Sequence, residues 1–309
     1  MPATVTVTIP ATTANLGPGF DCLGLALGLY NEVTLAAAPA GAYPNDLHIT
    51  IHGEGAGRLP GDARNLVAQA AARIFAHLGH SPAGLHITQH NRIPVGSGLG
   101  SSAAAVLGGM LAANALVDGG LSQAEILRLA AAMEGHPDNV VPAGLGGLVL
   151  INQAADGQLH VEPIPLPPQQ VVIVLPDFDL PTATARAALP RQVPLADAIF
   201  NAGRLALLVR ALAAGDYQRL PLAMQDRLHQ PYRLPLIPGM AAAFAAAYAA
   251  GAAGVALSGA GPSLLAFAPD NHQAIAAAIQ AAFAPAGLPS RAWILPVDAQ
   301  GAQVGHAPT

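Results

Sequence analysis

The chain contains no lysine: all thirteen of its basic residues are arginine. That absence excludes a Schiff-base lysine, a catalytic lysine base and the lysine-bearing Walker A loop. Cys22 is the single cysteine, so no internal disulfide and no cysteine-based metal cluster can form. A lone thiol fits a reducing compartment, and the cytoplasm is the expected location. Aromatic residues make up only 4% of the 309 positions and charged residues 10%, so the core must be built from aliphatic side chains and close helix contacts. A net charge of −5 leaves no basic surface for nucleic acid or an acidic membrane. Apolar runs such as 241–253 are alanine-dominated and fall short of the roughly 20 apolar residues of a membrane span. The first ten residues alternate threonine and valine without a charged leader region and read as a strand. The chain is expected to be soluble, with neither nucleic acid nor membrane among its partners.

A two-residue period over Thr4–Ile9 predicts an opening strand. Thr12 to Asp21 reads as a polar, glycine-rich turn, followed by a second apolar segment from Cys22 to Leu35. Strands are predicted over Leu47–His52 and Gly84–His90, with a helix over Asn65–Leu78 between them. Another helix spans Ala103–Val117. Ser122 caps the next, with Glu125 three residues on as in a capping box, and that helix ends near Met133. Pro163, Pro165, Pro167 and Pro168 mark a boundary that divides the chain into domains 1–165 and 166–309. Val171–Leu175 shows no alternation and predicts a strand buried on both faces. Beyond it, helices over Ala196–Ala214, Ala241–Gly251 and His272–Ala284 alternate with strands at Gly254–Leu257 and Ser263–Phe267. Residues from Ala299 on read as a frayed end. The pattern is mixed α and β, without internal repeats.

The strongest chemical signal is Pro94-Val-Gly-Ser-Gly-Leu-Gly-Ser-Ser-Ala-Ala104, placed between a strand and an apolar helix. Glycines at alternate positions let the backbone approach a ligand closely. Ser101 and Ser102 open the helix, where free N–H groups and the helix dipole favour an anion. Such a loop holds a triphosphate without lysine, and a serine hydroxyl beside phosphates can ligate Mg²⁺. The loop lacks the downstream acidic partner of a dinucleotide fingerprint. It resembles the Pro-x-x-x-Gly-Leu-Gly-Ser-Ser motif of the GHMP kinases. The resemblance implies ATP contacts at Pro94, Val95, Gly96, Ser97, Gly98, Leu99, Gly100, Ser101, Ser102, Ala103 and Ala104.

Further segments extend the resemblance over most of the chain. Pro10-Ala-Thr-Thr-Ala-Asn-Leu-Gly-Pro-Gly-Phe-Asp21 is similar to the first motif of the family branch that acts on homoserine, and implies that Asn15 and Asp21 hold the substrate's amino end. Glu134-Gly-His-Pro-Asp-Asn139 resembles the segment in which a glutamate ligates Mg²⁺ and His and Asn lie at the substrate hydroxyl. Carried over, Glu134 shares the metal with Ser102, His136 and Asn139 face the acceptor, and Asp138 holds the turn. Leu257-Ser-Gly-Ala-Gly-Pro-Ser263 resembles the third family motif, with Gly259 and Gly261 close to the phosphates. Thr182-Ala-Thr-Ala-Arg186 and Asp226-Arg-Leu-His-Gln-Pro-Tyr-Arg233 resemble segments that supply arginines to a substrate carboxylate, implicating Thr182, Arg186 and Arg233. A planar guanidinium suits that carboxylate bidentately.

The resemblance implies a two-domain α+β GHMP kinase fold, ribosomal-S5-domain-2-like at the N-terminus and ferredoxin-like at the C-terminus, and assembly as a homodimer. The implied activity is transfer of the γ-phosphoryl group of ATP, with Mg²⁺, to the hydroxyl of L-homoserine. No carboxylate is compellingly placed as general base. Asp138 is the nearest, and the alternative is passage of the hydroxyl proton to the phosphate itself. Two other readings stay open: a related kinase acting on mevalonate or a similar alcohol, and a non-catalytic nucleotide-binding protein. A zinc site at Glu134–Asn139 is a weaker rival, since the segment offers a single histidine.

Overall fold

The computed structural model describes residues 4–80 and 82–306. The first half runs β1 (Thr4–Asn15), β2 (Gly19–Ala38), β3 (Leu47–Gly53), α1 (Leu66–His77), β4 (Gly84–Asn91), α2 (Ser101–Leu116), α3 (Gln123–Glu134), α4 (Val140–Leu145), β5 (Leu148–Gln153) and β6 (Leu159–Ile164). The second half runs β7 (Gln170–Pro176), α5 (Thr182–Ala187), α6 (Leu195–Ala214), α7 (Leu220–Ala223), α8 (Gln230–Arg233), α9 (Met240–Ala249), β8 (Gly254–Leu257), β9 (Leu264–Phe267), α10 (His272–Phe283), β10 (Ser290–Pro296) and β11 (Gln303–His306).

Among the described residues the first sheet has seven strands, ordered β11-β1-β2-β4-β3, with β5 and β6 branching from β2. β3 and β4 are parallel, joined by α1 as the crossover. Val5, Val7 and Ile9 alternate inward from β1 and are wholly buried. α2 lies close on the sheet because its surface there is glycine: a Cβ at Gly108 would stand 2.7 Å from Ile9 Cδ1. At Gly109 it would stand 2.6 Å from the Val67 carbonyl oxygen of α1. Small residues thus supply the tight packing that scarce aromatics cannot.

The second sheet is antiparallel, ordered β10-β7-β9-β8. β7 has no polar face, and the structure gives each side a core. Val171 and Ile173 pack with Leu208, Leu212 and Leu220, while Val172 and Val174 pack with Met240, Ile275, Ile279 and Phe283. Side chains that alternate across a strand are all apolar when both faces are covered.

Several boundaries differ from the sequence reading. β1 extends through Asn15, so the turn expected from Thr12 shrinks to Leu16–Pro18. Pro10 is accommodated at a register shift between Pro10 and Ala11. β5 and β6 have no counterpart in the sequence reading, and Pro163 lies within β6, which pairs only with β5 and is therefore an edge strand, where proline is tolerated. The C-terminal segment is not frayed over 303–306, since β11 pairs antiparallel with β1; residues 307–309 lie outside the described residues. We propose the domain boundary at residue 165, where the chain leaves the first sheet, with β11 returning to it. No helix among the described residues is long and apolar enough to cross a membrane.

Candidate active site

The phosphate-loop residues connect β4 to α2. Gly100 takes φ 71°, serves as the N-cap of α2 and offers no side-chain cap to its first turn, leaving those N–H groups for a ligand. Ser97 is buried and stabilises the loop from within: its hydroxyl donates to the Pro94 carbonyl at 2.7 Å. The segment between β8 and β9 braces the loop from behind, with the Ser258 hydroxyl donating to the Gly98 carbonyl at 2.7 Å and the Ser263 N–H to Ser97 at 3.2 Å.

The loop forms one wall of a cavity of about 450 Å³. On its other side α3 ends at Glu134, whose Oε2 accepts from the Ser102 hydroxyl at 2.7 Å. Gly135, in the left-handed conformation at φ 85°, ends α3 and turns the chain so that His136, Asp138 and Asn139 reach the cavity. His136 Nδ1 lies 3.0 Å from Asp138, which is only 2% exposed. The Asp138 hydrogen bond holds the His136 imidazole above its ordinary value, against the effect of burial. Folding therefore binds this proton more tightly, and the stabilisation is full below the unfolded value near ~6.5 and lost as pH rises through the higher folded value. Asp138→Asn leaves burial as the main influence, so its deficit in melting temperature should be larger at acidic than at alkaline pH. Thermal melts across that range that show a constant deficit would contradict this.

At the far end stand the charged groups. Arg186, on α5, forks onto the Asp21 carboxylate with bonds of 2.8 and 3.0 Å. Arg233, on α8, is 1% exposed and donates to the Gly259 and Ala185 carbonyls. Both guanidinium carbons lie over the Phe20 ring, at 5.8 and 5.1 Å from its centroid, within cation–π range. His229 stacks on the same ring at 5.2 Å. Burial drives the His229 imidazole down from its ordinary value, which lets it sit 3.3 Å from the Arg233 guanidinium as a neutral partner. Asp226 anchors this turn by accepting from the N–H groups of Leu228, His229 and Gln230.

Most residues singled out from the sequence meet here. Asn15, Asp21, Val95, Gly96, Ser97, Gly98, Gly100, Ser101, Ser102, Glu134, His136, Asp138, Asn139, Thr182, Arg186, Arg233 and Gly259 all line the cavity. Four loop residues do not. Leu99, Ala103 and Ala104 are fully buried in the core, because the helix face that starts there turns toward the sheet, and Pro94 lines a neighbouring cavity instead. Gly261 also lies off the wall, packed toward Ile237. Asn15 touches the cavity, but its amide is already engaged: Nδ2 donates to the Gly259 carbonyl and Oδ1 accepts from the Asp21 N–H, both at 2.9 Å. These bonds make Asn15 a support for the Asp21 backbone at the cavity wall. Cys22 is half-buried, its thiol pushed up to about 11 by burial and by Asp138 and Asp21.

Sequence reasoning missed the opposite end of the cavity, built by Leu59, Pro60, Asn65, Leu66, Gln89 and Asn91. Asn65 caps α1 by accepting from the Val67 N–H, and its Oδ1 also accepts from Gln89 Nε2 at 2.8 Å. These residues belong to no contiguous motif. Parallel pairing of β3 with β4 and the packing of α1 bring them together. Phe20 and Thr12 were also missed, although both lie within the first motif.

The fold and this site define a GHMP kinase. The profile of the GHMP kinases N terminal domain matches residues 65–147 and that of the GHMP kinases C terminal domain residues 208–285. The homoserine kinase of Moorella thermoacetica is 48% identical over 284 residues, covering 91% of this chain and 93% of its own. That of Microchaete diplosiphon is 48% identical over 97% of each chain. The crystal structure of homoserine kinase from Cytophaga hutchinsonii superposes with a TM-score of 0.87 at 34% identity, over 99% of this chain and 98% of that one. The chain belongs to the homoserine kinase family. An L. major mevalonate kinase in complex with R-mevalonate shares the fold, with a TM-score of 0.74 at 21% identity over 95% and 96% of the two chains.

Proposed function

We propose that the chain transfers the γ-phosphoryl group of ATP to the hydroxyl of L-homoserine, giving ADP and O-phospho-L-homoserine, a step of threonine biosynthesis in the cytoplasm. One observation carries the reading: the glycine loop and the Asp21, Arg186 and Arg233 charges line a single cavity. The anion-binding wall suits the triphosphate, and the amide-rich end at Asn65, Gln89 and Asn91 suits a nucleobase, which has donors and acceptors to match. The charged end suits an acceptor that is both cation and anion. Arg186 and Arg233 take its carboxylate and Asp21, held by Asn15, its ammonium group.

Glu134 and Ser102 present two hard oxygen donors 2.7 Å apart at the start of α2, and would hold Mg²⁺. No group of three or more His, Cys, Asp or Glu side chains among the described residues could hold a metal ion. A short donor set fits Mg²⁺, which keeps waters and phosphate oxygens as its remaining ligands. When bound, it neutralises charge on the phosphates. In the transfer, the homoserine hydroxyl oxygen bonds to the γ-phosphorus and the bond to the β–γ bridging oxygen breaks. ADP leaves with that electron pair and the hydroxyl proton passes to the transferred phosphoryl group. Asp138, buried against His136, holds the imidazole in place through their hydrogen bond. Because the transition state is loose, positioning and charge neutralisation supply most of the acceleration.

Thermal-shift measurements with Mg-ATP, then with homoserine added, together with a coupled assay of ADP release, test the proposal. Stabilisation by both ligands and homoserine-dependent ADP release are expected. Stabilisation by nucleotide without turnover of any alcohol would overturn it in favour of a nucleotide-binding role, and turnover of mevalonate alone in favour of the related kinase.

A further inference from the structure

Thr12 is wholly buried in β1, and it lies behind the cavity wall without lining it. Its hydroxyl donates to Asn139 Oδ1 at 2.8 Å, across 127 positions of sequence. Its N–H donates to the Leu99 carbonyl of the phosphate loop at 3.1 Å. The contact passes beside Gly100: a Cβ there would fall on Thr12 Oγ1 and stand 3.2 Å from Asn139 Oδ1. One buried residue thus reaches the loop that precedes α2 through its N–H and the residue that opens α4 through its hydroxyl. It is therefore tied to two walls of the site at once.

We infer that Thr12 is a positioning residue that fixes the Asn139 amide with its NH₂ end toward the substrates. An asparagine side chain has one acceptor oxygen and one donor nitrogen. With the oxygen held by a buried hydroxyl, the nitrogen is the end presented to the cavity; turning the amide over would make Nδ2 the donor to Oγ1 and take from the buried hydroxyl proton the acceptor it has here. Asn139 then meets the substrates as a donor, suited to the oxygens of the phosphoryl group in transfer, and cannot accept the hydroxyl proton. The neighbouring Thr13 points the other way, as strand geometry requires. Its Oγ1 lies 2.9 Å from Ser258, whose hydroxyl supports the Gly98 carbonyl. The two threonines serve different parts of the site.

The inference rests on the proposed reading of Asn139 as a group facing the substrates, and steady-state kinetics with a double-mutant cycle separate the two. Thr12→Val keeps the shape and removes the donor. It is expected to lower kcat by about 10- to 100-fold, a positioning effect of the size one misdirected polar group can produce, with KM for ATP little changed. Thr12→Ser should recover most of the rate. In an Asn139→Ala background Thr12→Val should cost nothing further, since residues acting through one another are not additive. Asn139→Asp should fall at least as far as Asn139→Ala, because it sets a carboxylate oxygen against phosphate.

Additive losses, a Thr12→Ser variant as slow as Thr12→Val, or an Asn139→Asp variant near the parent rate would each overturn the inference while leaving the function proposal intact. An Asn139→Ala variant with unchanged kcat would overturn the assigned role of Asn139 and the inference with it. If Thr12→Val does not fold, Thr12→Ala serves in the same cycle.

Discussion

Gly98→Ala is expected to lower kcat/KM for ATP by about 100-fold or more, whereas Gly96→Ala, two residues earlier in the same loop, costs far less. Both glycines sit in the left-handed region, at φ 78° and 71°. A side chain in that conformation costs about 1–2 kcal/mol, or roughly 5- to 30-fold if the strain falls entirely on the binding-competent loop. The positions differ in what a methyl group would meet. At Gly96 it finds open space. At Gly98 it falls on the Ser258 carbonyl oxygen and stands 2.8 Å from that of Gly261. Both obstacles are main chain, so no side chain can rotate aside. The bracing segment is itself fixed, with the Gly259 N–H donating to Ala14 in β1 and the Ser263 N–H to Ser97. The loop must therefore move, and a displacement near ~1 Å is enough to cost about 100-fold. Kinetics with varied ATP, beside melting temperatures to confirm folding, check the contrast. Equal losses at the two sites would contradict it.

Asp21→Asn is expected to raise KM for homoserine by about 10- to 100-fold, the range of one lost charge-assisted hydrogen bond worth ~1.5–3 kcal/mol. It should also erase much of the preference for homoserine over 4-hydroxybutyrate, which is the same acceptor without its amino group. The reason lies in the Asp21–Arg186 fork. Within the chain these two charges neutralise each other. A zwitterion can replace both partners at once, its ammonium taking the place of the guanidinium at Asp21 and its carboxylate the place of Asp21 at Arg186. An acceptor that brings only the anion leaves Asp21 without a cation, and that unpaired charge is what discriminates against it. Comparing kcat/KM for the two acceptors in the parent and in Asp21→Asn measures this directly. A variant that still discriminates as strongly as the parent would show that selectivity resides elsewhere.

What the sequence made legible was local. The capping box at Ser122 and Glu125 forms as its spacing requires, with the Ser122 hydroxyl accepting from the Glu125 N–H and the Glu125 carboxylate from the Ser122 N–H. The unalternating valines of β7 announced a strand covered on both sides. The contiguous segments around Gly98, Glu134 and Gly259 could be read because each carries its chemistry within a few residues. What stayed hidden depends on pairing between distant segments. Asn65 and Gln89 share a wall only because β3, α1 and β4 fold into a parallel crossover. Asn15 reads as a ligand from its position in a motif, and nothing local shows that its amide also ties β1 to Gly259, 244 residues away. The alanines after Ser102 belong to the loop motif by sequence, but helical geometry turns Ala103 and Ala104 into the core. Thr12 and Phe20 carry no signal of their own, since a threonine in a strand and a phenylalanine after a turn are ordinary residues until their contacts are seen.

The most direct test of the central claim is a competition in one tube. The purified chain, Mg²⁺ and ATP are supplied with equal amounts of L-homoserine, mevalonate and galactose, and the products are followed by ³¹P NMR and mass spectrometry. The account predicts O-phospho-L-homoserine, formed in step with ADP, while the other two alcohols remain unmodified. Phosphomevalonate or galactose 1-phosphate as the main product, with homoserine untouched, would contradict it.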